Sequence, residues 1–64
     1  MTKQYVIFDM AKQVYLLSGG ETPYIQDALF FDTEEYAYRY LCQMFNAWEL
    51  NEGVFEIKCV AIVL

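Results

Sequence analysis

Phe31-Asp32-Thr33-Glu34-Glu35-Tyr36-Ala37 opens the stretch that decides the fold, which continues through Trp48 to Leu50. Asp32 is an N-cap residue type. Glu35, three positions on, completes a capping box in which two side chains satisfy backbone N–H groups that the first helical turn leaves open. Phe31 and Tyr36 fall on the two hydrophobic-staple positions. Glu34 and Glu35 stand in the first turn, where the helix dipole favours acids. At about 100° per residue, Ala37, Leu41, Met44, Phe45 and Trp48 gather into one arc, with Tyr38 at its edge. Arg39, Gln43, Asn46 and Leu50 lie opposite, and Tyr36, Tyr40 and Ala47 form a flank between the two. The spacing predicts an amphipathic helix over Asp32–Leu50, with Gly53 as its terminator.

The chain before this helix has the alternation and residue types of strands. Gln4–Asp9 is β-branched and aromatic, and Gln13–Ser18 returns after a connection at Asp9-Met10-Ala11-Lys12. A β-hairpin is expected, with its turn type open, because no Asn-Gly or Asp-Gly pair is present. Ser18-Gly19-Gly20-Glu21-Thr22-Pro23 has the composition of a loop. It lacks the following Gly-Lys-Ser/Thr or third spaced glycine of a phosphate-binding loop. Ala28–Phe31 is expected to be a short third strand or an extended lead-in. After the helix, Phe55, Ile57 and Cys59 alternate with Glu56 and Lys58, and the chain then turns apolar on both faces through Leu64. Val54–Leu64 is therefore the last strand. The fold class is α+β: one domain over residues 1–64, a three- to four-stranded antiparallel sheet, and one helix packed on one face in the order β-β-(β)-α-β.

With 64 residues, 58% apolar and 19% aromatic, the chain has room for one thin core and is too rich in aromatics for disorder. A domain of this size usually needs extra stabilisation. Two cysteines are too few for a disulfide scaffold, and with no histidine they make zinc hard to support. No cofactor or metal is expected. The apolar run after Lys3 is too short for a signal sequence, and none approaches a membrane span, so the expectation is a cytoplasmic protein.

Net charge is −5, and it is unevenly spread. From Glu21 to Glu56 there are eight acids against Arg39 alone; elsewhere Lys3, Lys12 and Lys58 stand against Asp9. Such a surface disfavours direct nucleic-acid binding, which needs lysine and arginine for phosphates. It suits solubility, a basic protein partner, or occupation of another protein's nucleic-acid-binding groove.

Enzyme readings fail on residue inventory. There is no histidine, and Ser18 lies outside any nucleophile-elbow pattern. Cys42 and Cys59 lie in apolar-rich segments where packing explains them. Glu34 and Glu35 form a carboxylate pair, but adjacent helix residues point about 100° apart, and the helix start already accounts for them. A non-enzymatic protein is expected.

Two binding surfaces remain. One is the helix flank of Tyr36, Arg39, Tyr40 and Gln43, with tyrosine and arginine the types enriched at interface hot spots. Its charge would come from Glu34, Glu35, Glu49 and Glu52. The bland alternative is tyrosines leaning over the sheet with only their hydroxyls wet. The other surface is the terminal strand at Val60, Ile62 and Leu64, whose second apolar face would be buried in a homodimer or under residues 22–31.

The succession Tyr5-Val6-Ile7-Phe8-Asp9, a tyrosine-containing second strand, Asp27-Ala28-x-x-Phe31-Asp32-Thr33-Glu34-Glu35-x-Ala37 and a closing strand resembles small uncharacterised proteins of phages and prophages. Some small acidic phage proteins inhibit host nucleases or defence complexes, and this chain matches them in size and charge. The resemblance implies no catalytic residue. The expected function is a non-enzymatic acidic protein-interaction module, in its specific form a phage-encoded inhibitor of a host nucleic-acid-binding or defence protein. The alternatives are an accessory homodimer without inhibitory role, and a small-ligand binding domain built on the Gly19–Tyr24 loop.

Overall fold

The computed structural model describes residues 2–46, 50 and 54–62. Four strands, β1 (Thr2–Asp9), β2 (Val14–Leu17), β3 (Gly20–Thr22) and β4 (Phe55–Ile62), form one sheet in the order β3-β2-β1-β4, every neighbour antiparallel. Helix α1 (Glu34–Met44) packs on one face, so the α+β arrangement expected from the sequence is the fold.

The β1–β2 hairpin forms as expected, with its turn one residue later, at residues 10–13. The Asp9 carboxylate fixes that position, its Oδ1 accepting from the N–H groups of Ala11 (3.0 Å) and Lys12 (3.1 Å). Gln13 closes the turn at φ +60 by donating its N–H to the Asp9 carbonyl at 2.8 Å. A short polar reach back to the backbone is what makes Asp a turn residue.

The third strand lies where a loop was expected. Gly19, at φ +81, takes the left-handed position of a two-residue turn that returns Gly20–Thr22 along β2. Thus the glycines reverse the chain instead of ending the sheet. Residues 28–31 form no full strand. They are tied to β2 by the Leu29 N–H to the Leu16 carbonyl (3.0 Å), and to β1 by a reciprocal Tyr5–Phe31 bridge (2.8 Å each way).

Helix α1 is capped by Thr33, one residue after the expected Asp32; its hydroxyl accepts from the Tyr36 N–H at 3.1 Å. Asp32 instead accepts from the Gln4 side chain of β1 at 3.3 Å. The shift dissolves the expected capping box and staple: Glu35 turns to Arg39, and Phe31 packs on Tyr40 with ring centroids 5.4 Å apart. The helix also stops earlier than expected. Phe45 is extended (φ −132, ψ 145) while its N–H still bonds the Leu41 carbonyl. The phase that set Leu50 outward is therefore lost, and Leu50 packs against the core. Trp48, expected in the core arc, lies outside the described residues.

Antiparallel partners share a face, so Tyr5, Ile7 and Asp9 of β1 lie with Val14 and Leu16 of β2 and with Phe55, Ile57 and Cys59 of β4. The helix covers this face. Ile7, Leu16, Ala37 and Leu41 are its buried centre, ringed by Tyr5, Phe31, Tyr40, Phe45, Phe55 and Ile57. Phe45 and Phe55 join helix end to strand, their rings 4.6 Å apart. On the opposite face Val6 is fully buried, and Lys58 lies 4.2 Å over the Phe8 ring, which also packs on Tyr15 at 4.9 Å.

Candidate interaction surface

The outer side of α1 carries the residues singled out in the sequence. Glu34, Glu35, Tyr36, Arg39 and Gln43 are all exposed. Glu49 and Glu52 lie outside the described residues. Tyr40 is half-buried with its ring on Phe31, so for this tyrosine the packing alternative holds. Glu35 and Arg39 pair across one turn at 2.8 Å, both well exposed. An exposed pair of this kind contributes little to stability, but it occupies Arg39 and leaves Glu34 to set the local sign.

Two further side chains belong to this surface. Tyr38, placed at the edge of the core arc, is 57% exposed, and Met44, placed within that arc, is 55% exposed. Met44 follows the core phase but stands in the last turn, at the wall of a cleft and not within the core cluster. Its position at the end of the helix, rather than its angle, was the available signal. Tyr36, Tyr40 and Met44 therefore form an i, i+4, i+8 stripe along one flank of the helix.

The stripe leads into a cleft of about 320 Å³ lined by Leu16, Leu17, Gly20, Tyr40, Met44 and Phe45, together with Lys12 and Glu21. Those two charges pair with each other at 3.3 Å. A cleft of this size is at the lower end for a small molecule. Its lining is apolar apart from an ion pair already satisfied, so it offers shape more than oriented hydrogen bonds. Tyr24, expected to help form a ligand loop, is exposed and does not line it.

Both cysteines are free and exposed, contrary to the packing expected of them. Cys42 is exposed on α1, and Cys59 is exposed on the helix-side face of β4. Across the strand pair from Cys59, the Tyr5 phenol is raised above its ordinary value of 10.0, first by the negative charge of the Cys59 thiolate and then by lost hydration. Folding thus holds this proton more tightly, and that contribution is lost as pH climbs from 10.0 through the raised value. Cys59→Ser is expected to bring the Tyr5 ionisation back towards 10.0 in an NMR titration of labelled tyrosine. An unchanged midpoint would assign the shift to another neighbour.

Of the expected dimer residues, Val60 is half-buried on the face away from the helix, while the side chain of Ile62 and all of Leu64 lie outside the description. Among the described residues, no group of three or more metal-ligating side chains occurs, and no helix is long and apolar enough to cross a membrane. No protein-family model matches the chain, and neither a curated protein nor a solved structure matches it.

Proposed function

We propose that this chain is a non-enzymatic binding module that holds a basic protein partner against the outer flank of α1. The observation that carries the reading is the Tyr36–Tyr40–Met44 stripe, open to solvent at both ends and continuous with an apolar cleft. Tyrosine and methionine give contact area that adapts to a partner at low entropic cost. Glu34 at the helix start, beside the Glu35–Arg39 pair, supplies the charge that steers a basic surface towards the stripe. In its specific form the module is a phage-encoded inhibitor that acts in the host cytoplasm and occupies the groove of a nucleic-acid-binding or defence protein. The small-ligand alternative is less favoured, because Lys12 and Glu21 satisfy each other within the cleft.

The test compares proteins captured from host lysate by the unmodified chain and by a Glu34→Lys/Glu35→Lys/Tyr36→Ala variant, at low and high salt. The expected result is a partner released by salt and retained about tenfold less by the variant, as reversal of the charge at the helix start and loss of one aromatic anchor imply. Equal retention by the variant would remove this surface from consideration.

A further inference from the structure

We infer that β4 is a homodimerisation edge, pairing antiparallel with β4 of a second copy about a two-fold axis at Ile57. Among the described residues, strand β4 ends the sheet, with β1 on one side and no strand on the other. Which of its backbone groups face outward follows from the register. Tyr5 directs both its N–H and its C=O to Phe31, away from β4. In an antiparallel ladder bonded and non-bonded pairs alternate. Tyr5–Cys59 is therefore a non-bonded pair, as are Ile7–Ile57 and Asp9–Phe55. The complementary bond, from the Met10 N–H to the Val54 carbonyl at 2.7 Å, agrees with this phase. Phe55, Ile57, Cys59 and Ala61 accordingly present their N–H and C=O groups at the outer edge. Among the described residues, no backbone group outside the sheet bonds to them.

Free edges are normally blunted by proline, by a bulge, or by a charge that no partner strand can accept. Strand β4 has no proline, and it runs for eight residues in unbroken register with β1. Its two charges, Glu56 and Lys58, have opposite sign and share the face away from the helix. This decides the occupant and the register. With the two-fold at Ile57, Glu56 lies directly opposite the partner's Lys58, and the contact occurs twice. Phe55 then lies opposite the partner's Cys59, and Ile57 opposite the partner's Ile57, on the helix-covered face. Moving the axis to Glu56 or Lys58 sets like charges against each other. The strand is thus self-complementary in one register, as a two-fold interface requires. The result is a continuous eight-stranded sheet with both helices on the same side. The interface is the backbone edge, not the apolar side chains of Val60, Ile62 and Leu64.

The inference is tested by sedimentation of the full chain from micromolar to millimolar concentration, for the unmodified chain, Glu56→Lys, Lys58→Glu and the double exchange. The unmodified chain is expected to dimerise, more weakly as salt rises. Each single reversal sets like charges opposite each other twice and is expected to raise the dimer Kd by about tenfold. The double exchange recreates the attraction and is expected to restore the Kd to within about twofold. Cooperative thermal melts verify that each variant is folded. A chain that is monomeric throughout, a Kd insensitive to salt and to the single reversals, or a double exchange that stays weak would each overturn the inference.

Discussion

Replacing Ile7 by alanine is expected to remove about 3 kcal/mol of stability, the typical cost of emptying a closed core site. Ile7 has no exposed surface and stands on β1, between the strands on either side, beneath Ala37 and Leu41 of the helix. Because α1 and both flanking strands meet at this side chain, no single element can move in to fill the space. A 64-residue domain has on the order of 3–10 kcal/mol in total, so one cavity consumes much of it. The melting temperature should fall by about 12 °C or more in a thermal scan followed by circular dichroism. Ile7→Val, which removes one methyl group, should cost about 1 kcal/mol. Met44→Ala, in contrast, should leave stability within about 0.5 kcal/mol, because Met44 is largely in solvent. A small effect at Ile7, or a large one at Met44, would mean that the helix is seated the other way round.

That contrast shows which parts of the molecule were legible in the sequence. The hairpin and the Ala37–Leu41–Phe45 contact stripe follow from periodicity, which tertiary packing reinforces at the middle of each element. Element ends were harder, because there two chemically adequate choices compete. Asp32 and Thr33 both cap helices, and the competition was decided by Gln4, which is distant in sequence and bonds Asp32. The strand Gly20–Thr22 was hidden because two adjacent glycines mark both a loop and a tight reversal; only pairing with β2 distinguishes them. The outer helix residues Glu34, Glu35, Tyr36, Arg39 and Gln43 were placed correctly as exposed. The Tyr40–Met44 end of the candidate site was not, since its cleft is completed by β2 and the β2–β3 turn, which no helical wheel contains.

Replacing Asp9 by alanine is expected to cost about 2 kcal/mol, whereas Asp9→Asn should cost well under half of that. Asp9 is an acid 5% exposed, in a chain whose other described acids are exposed. Its Oδ1 accepts two backbone N–H groups, from Ala11 and Lys12, at the turn that joins β1 to β2. Alanine strands both donors in a part-buried turn, and it frees the backbone that holds Gln13 in the left-handed region. Asparagine keeps an oxygen at the same position, so the two acceptances survive without the charge. Urea unfolding of the three proteins separates the contributions. Equal losses for alanine and asparagine would show that the carboxylate's charge matters and the turn geometry does not. A loss confined to alanine would place Asp9 among the residues that make the hairpin, and outside the acidic surface proposed to meet a partner. The distinction bears on function, because β2 carries Leu16 and Leu17 of the cleft wall and Lys12 in the same turn pairs with Glu21. A chain with a loosened β1–β2 turn should therefore lose the cleft together with its stability, while Glu34→Lys and Glu35→Lys should weaken binding with no such loss.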